Sequence, residues 1–89
     1  MKQNLTKFQS EVWNKIKPHI KEEFDSHVTF DDELQIKFDI ESGKVSIEIF
    51  PQDDVLLFVQ YETEGFEKQF FNNSNLNSLI EILKKNEYQ

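Results

Sequence analysis

Leu34-Gln35-Ile36-Lys37-Phe38-Asp39-Ile40-Glu41-Ser42-Gly43-Lys44-Val45-Ser46-Ile47-Glu48-Ile49 decides the fold. Apolar and polar residues alternate with a period of two on both sides of Ser42-Gly43, which places one apolar row on each of two β-strands. Ser42-Gly43 is a turn signal. A two-residue loop centred there sets Glu41 against Lys44, Ile40 against Val45, Phe38 against Ile47 and Lys37 against Glu48. Apolar then meets apolar and each lysine meets a glutamate, the cross-strand pattern that stabilises a hairpin.

Downstream, Pro51-Gln52-Asp53-Asp54 is a turn cluster with proline in an early position. Val55–Glu62 reads as a third strand and is apolar without interruption from Val55 to Val59. Thr63-Glu64-Gly65 turns the chain again into a fourth strand over Phe66–Phe71. Asn72-Asn73-Ser74 supplies helix-capping side chains. Leu76, Leu79, Ile80 and Leu83 then form a helical stripe, with Lys84 and Lys85 in its last turn, where cations suit the helix dipole.

Upstream, Leu5, Phe8, Val12, Ile16, Ile20 and Phe24 recur every three or four residues, which predicts helix over residues 4–24. Pro18 lacks an N–H and clashes one turn back, so a kink or two short helices are expected there. Residues 25–33 lose the helical period and read as a connector, with a short extended piece at His27–Phe30. The expected architecture is α+β. An N-terminal helix kinked near Pro18, a four-stranded antiparallel meander and a C-terminal helix form a two-layer sandwich. At 89 residues, the chain is read as a single domain, 1–89, with one core.

Composition narrows the function. The chain has no cysteine, so neither disulfides nor thiolate metal sites arise. It has no arginine and a net charge of −7, which argues against direct nucleic-acid binding and against an anionic membrane surface. No run of about 18 apolar residues predicts a membrane span, and Met1–Asn4 leads into an amphipathic pattern rather than an apolar leader. A cytoplasmic address is expected.

No catalytic constellation stands out. The two glycines, Gly43 and Gly65, are explained by turns, and no glycine-rich phosphate loop exists. His19 and Glu23, one helical turn apart, have metal-ligand spacing but lack a third ligand at a fixed offset. Asp39, Glu41 and Glu48 are expected on a wet sheet face, where little would raise a pKa or hold substrate. The reading therefore assigns no enzymatic activity, no cofactor and no metal.

The charge is uneven. From Asp31 to Glu67 the chain has eleven carboxylates and two lysines, a net −9, while residues 1–30 and 68–89 are each +1. A concentrated acidic sheet suits a basic partner. On the expected open face, Gln35, Lys37, Asp39, Glu41, Ser46 and Glu48 make a charged half. Phe50, Leu56, Phe58 and Phe71 make an apolar half beside Gln60, Glu62, Glu67 and Gln69. Val55, Leu57, Val59 and Tyr61 are expected to join Val45, Ile47 and Ile49 against the helices. Leu56 and Phe58 are open to two readings: a central strand covered on both sides, or an exposed patch that marks a partner site.

The functional expectation is a stoichiometric inhibitor that blocks a basic protein, such as a nuclease or another nucleic-acid-binding effector. Nuclease-toxin immunity proteins and phage anti-defence or anti-CRISPR inhibitors offer an analogy of size and charge. The expected partner-binding residues are Asp31, Asp32, Glu33, Asp39, Glu41, Glu48, Asp53, Asp54, Glu62, Glu64 and Glu67 for steering. Phe50, Leu56, Phe58 and Phe71 are the expected anchors. The rival reading is a non-catalytic homodimer or assembly subunit joined through the apolar half of the sheet.

Overall fold

The computed structural model describes residues 5–52 and 54–85. Helix α1 spans Lys7–Ile16 and runs into a 3-10 turn at Lys17–His19. Five strands follow: β1 Phe24–Val28, β2 Leu34–Ile40, β3 Gly43–Ile49, β4 Val55–Glu62 and β5 Gly65–Asn72. Helix α2, Leu76–Lys85, ends the described chain. Strand order in the sheet is β1-β2-β3-β4-β5, and every neighbouring pair is antiparallel. The α+β class, the antiparallel sheet and a helix at each end are as expected; the strand count is five rather than four.

The extra strand lies mostly in the expected connector. Residues 25–28 pair with β2, so the extended piece expected at His27–Phe30 begins earlier and is a full strand, starting at Phe24, the expected last residue of the helix. Pro18 sits in the first turn of the 3-10 segment, where its missing N–H costs nothing, but the helix does not resume. Ile20 already has extended backbone, and Phe24 pairs with Phe38 as the first residue of β1. Phe24 kept the helical spacing by coincidence. Its ring meets Trp13 edge-on at 5.5 Å, so the apolar position is used from a strand. Residue 4 of the expected helix lies outside the described residues.

Helix α1 opens with a reciprocal capping box. The Gln9 backbone N–H donates to Thr6 Oγ1 at 3.1 Å, and the Thr6 N–H donates to Gln9 Oε1 at 2.9 Å, satisfying two of the orphan groups at the helix start. One core holds Phe8, Val12 and Ile16 of α1 and Leu76, Leu79 and Leu83 of α2. It also holds Leu34, Ile36 and Phe38 of β2, Val45, Ile47 and Ile49 of β3, and Leu56, Phe58 and Phe71. Both helices therefore cover one face of the sheet. The Lys21 ammonium donates to the Lys84 carbonyl at 2.9 Å, tying the end of α2 to the start of the sheet.

The first hairpin differs from the expected register by two residues, and the last closes within the expected Thr63-Glu64-Gly65 turn. Ile40 pairs with Gly43, so the first loop is Glu41-Ser42; Glu62 pairs with Gly65, so the last loop is Thr63-Glu64. Gly43 serves a different need from the turn assumed for it: a Cβ there would collide with the Tyr61 carbonyl of β4. Gly65 has φ 153°, a backbone that side-chain-bearing residues rarely adopt. A shift of two preserves the faces but changes the partners. Glu48 accepts a 2.8 Å hydrogen bond from Gln35, and Lys44 lies 3.8 Å from Asp39, in place of the expected Lys37–Glu48 and Lys44–Glu41 pairs.

The larger correction concerns β4. Phe50 donates its N–H to the Val55 carbonyl at 3.1 Å, closing a four-residue loop and setting Ile49 opposite Leu56. An even-numbered loop pairs odd positions with even ones, and paired residues share a face. Leu56 and Phe58 therefore join Ile47 and Ile49 beneath the helices, whereas Val55, Leu57, Val59 and Tyr61 face away from them.

Candidate protein-binding surface

Of the four anchors expected from sequence, Leu56, Phe58 and Phe71 are core residues. They are 0%, 4% and 4% exposed, and Phe58 meets Phe71 edge-on at 6.5 Å. Phe50 is half-buried at the β3–β4 corner. None of these four forms an exposed patch, because the parity of the 51–54 loop turns β4 over relative to the expectation.

The uncovered face carries a different apolar set. Leu57 pairs with Phe70, Val59 with Lys68 and Tyr61 with Phe66 across β4 and β5. Tyr61, Phe66 and Phe70 are 45%, 59% and 55% exposed. The Tyr61 and Phe66 rings lie 5.9 Å apart at a tilted angle. Val59 is buried yet stands apart from the main core cluster, sunk between Ser46 and Lys68 on this outer face. Every residue from Tyr61 to Phe70 is exposed: the β4–β5 hairpin extends past the helical layer and is wet on both sides. The signal that would have revealed this set is the even length of the three loops between β2 and β5, which alternates parity from strand to strand.

On the other side of that hairpin, Gln60 pairs with Glu67 and Glu62 with Gly65. Gln60 donates to Glu62 at 3.2 Å. Glu64 occupies the loop between the strands. The hairpin thus has an aromatic side and a glutamate side.

Most of the other carboxylates sit at the ends of the sheet rather than on its open face. Asp31, Asp32 and Glu33 lie in the β1–β2 loop, with Asp54 at the same end. Glu41, Glu62 and Glu64 lie at the other, a strand length away, roughly 20 Å at 3.3–3.4 Å per residue. The face between carries Asp25, Asp39 and Glu48 against Lys37, Lys44 and Lys68 and is charge-balanced. Asp53 falls outside the described residues. Polarity is strong on a larger scale: residues 22–72 hold fourteen carboxylates and three lysines, whereas the helical segments 5–21 and 76–85 hold six lysines and two glutamates.

The acidic β1–β2 end is well ordered by hydrogen bonds. Thr29 donates its N–H to the Glu33 carbonyl at 2.8 Å, and the Asp32 N–H donates to the Thr29 carbonyl at 3.0 Å. Asp32 takes φ 65°, the left-handed position of a three-residue hairpin loop that Asp tolerates. Phe30 stands fully exposed at the tip; the sequence reading placed it in a connector and gave it no role. A shallow depression beside it is lined by Asp31, Glu33, Phe50, Pro51 and Gln52.

Burial, then Glu48, then Asp31 raise the Glu33 carboxyl above the ordinary glutamate value. Protonation of Glu33 therefore favours the folded state. That contribution is fully present below the ordinary value and is lost as pH rises through the raised one. Glu33→Gln is expected to raise the melting temperature near pH 7 by no more than about 2 °C, because solvent screens so open a carboxyl. The advantage should shrink as pH approaches 4. A gain that is equal at both pH values in thermal melts would show that charge is not its origin.

Helix α1 ends before the 3-10 turn that holds His19, and Glu23 lies outside both, so the two do not share a helix face. Among the described residues no group of three or more His, Cys, Asp or Glu side chains is placed to hold a metal ion. No described helix is long and apolar enough to cross a membrane. No protein-family model, no curated protein and no solved structure matches this chain.

Proposed function

We propose that this chain is a cytoplasmic, non-catalytic inhibitor. It binds a basic, nucleic-acid-handling protein through the β4–β5 hairpin, without contacting nucleic acid or membrane itself. The observation that carries the reading is the exposed run Tyr61–Phe70, which joins three aromatic rings to Glu62, Glu64 and Glu67 on one protruding element. Aromatic anchors with a charged rim are what concentrate binding energy at protein interfaces. The separation of acidic sheet from lysine-rich helices supports oriented approach: long-range attraction turns the sheet end, not the helical layer, towards a basic surface.

The test uses purified nucleases and nucleic-acid-binding proteins as a panel, with binding and inhibition measured at about 50 and 300 mM salt. A true partner should associate at least about tenfold more slowly at the higher salt and be inhibited in proportion to occupancy. The triple reversal Glu62→Lys, Glu64→Lys, Glu67→Lys should lower its affinity by about 100-fold or more. A partner whose affinity ignores both salt and charge reversal would sink the proposal.

The charge balance of the open face favours a second reading, a homodimer or assembly subunit joined through Leu57, Val59, Tyr61, Phe66 and Phe70. Light scattering across a dilution series separates the two. A dimer that dissociates on Phe70→Asp supports self-association.

A further inference from the structure

The geometry points to the free edge of β5 as an acceptor for an extended segment of the partner, which adds to the sheet as a sixth strand. This rests on the reading of the hairpin as the docking element for a basic protein. β5 is the terminal strand of the sheet and pairs with β4 over eight residues, Gly65–Asn72, in unbroken register. The two-residue loop after Glu62 makes Glu62–Gly65 a hydrogen-bonded pair. Such pairs alternate with non-bonded ones, so Gln60–Glu67, Phe58–Gln69 and Leu56–Phe71 bond inward to β4. The N–H and C=O groups of Phe66, Lys68 and Phe70 are left pointing out of the edge.

Natural sheets protect such edges with proline, bulges, short strands, covering elements or charged side chains, lysine above all. β5 contains neither proline nor bulge, and its charges are limited to Glu67 and Lys68. The opposite edge strand, β1, has five residues. Strand addition takes affinity from the main chain and specificity from alternate side chains. On the open side an incoming strand would lie beside Phe66, Lys68 and Phe70, where the two rings and the lysine suit apolar rather than basic residues. On the other side it would lie beside Glu67, with Glu62 and Glu64 close by, which suits lysine or arginine. The occupant is therefore an extended segment in which apolar and basic residues alternate.

A second copy of the chain fits less well. The two antiparallel registers that overlay the exposed stretch 65–70 on itself centre on Lys68 or on Glu67. Each sets like charges directly opposite one another, which is destabilising.

The probe is a capped octapeptide alternating valine and lysine, with two controls: the same peptide N-methylated at alternate residues along its bonding edge, and a valine–glutamate version. Backbone amide exchange is followed by NMR. The lysine peptide should slow exchange at Phe66, Lys68 and Phe70 by tenfold or more, while N-methylation or replacement of lysine by glutamate should weaken binding at least tenfold. Lys68→Pro removes an outward donor without breaking a bond to β4 and should weaken binding similarly, with its thermal melt confirming the fold.

Equal binding of the methylated peptide, unprotected amides, or no binding of the lysine peptide overturns the inference. So does protection of the same amides without peptide in a sample that light scattering shows to be dimeric. If the edge fails while a panel partner still depends on Glu62, Glu64 and Glu67, only this inference falls. If peptide pairing succeeds while no partner shows that dependence, the proposed function falls instead.

Discussion

Gln9→Ala is expected to lower stability by about 3 kcal/mol, or about 15 °C in melting temperature for a domain of this size. The Gln9 side chain is 1% exposed and makes three bonds at once. Its Oε1 accepts the Thr6 N–H. Its Nε2 donates to the carbonyls of Asp32 and Ile49, each at 2.8 Å. These tie α1 to the β1–β2 loop and to the end of β3. Removing the amide strands a buried Ile49 carbonyl, and each such group costs about 1–3 kcal/mol. Loss of the acceptor for the Thr6 N–H, the reciprocal half of the capping box, adds about 1 kcal/mol. Gln9→Glu separates the contributions, since it keeps the acceptor for Thr6 but removes both donors and sets a buried negative charge against two carbonyl oxygens. Its introduced carboxyl should have a raised folded-state pKa. Stability is then low at neutral pH and partly recovers as pH falls through that raised value, where the protonated group donates one bond. A melt of Gln9→Ala within about 1 kcal/mol of the parent would mean that water replaces these bonds.

That side chain also shows where sequence reading stops. Gln9 sits among polar residues on a helix whose apolar stripe was legible at Phe8, Val12 and Ile16, and nothing local marks it as the link to a loop 23 residues away and a strand end 40 residues away. Periodicity located β2 and β3 because their alternation is complete, and located α2 because its apolar stripe and terminal lysines agree. It misread Phe24, whose spacing continued a helix that Pro18 had already ended. It also could not orient β4: Val55–Val59 is apolar at every position, so period two is absent and only the loop length assigns the faces. That one parity exchanged the expected anchors, Leu56 and Phe58, for Leu57, Val59 and Tyr61. Glycine was equally ambiguous at Gly43, where a close approach to β4, and not the turn, excludes a side chain.

The exchange of faces leads to the largest contrast expected among single substitutions. Phe58→Asp places a carboxylate where the ring is 4% exposed and packed edge-on against Phe71. The loss combines the cavity left by a large aromatic, about 3–5 kcal/mol, with burial of an unpaired charge. Against a typical domain stability of about 5–15 kcal/mol, the variant should be largely unfolded at 37 °C by circular dichroism, whatever the partner does. Phe70→Asp alters a ring that is 55% exposed on the outer face of β5, opposite Leu57. Its melt should stay within about 1 kcal/mol of the parent, the range of surface and cross-strand substitutions, while removal of an interface anchor weakens partner binding by about 2 kcal/mol or more, roughly 30-fold. The two phenylalanines lie in neighbouring strands, yet one substitution reports on folding and the other on recognition. If Phe58→Asp folds and loses binding while Phe70→Asp binds normally, the outer face of the β4–β5 hairpin is not where the partner docks.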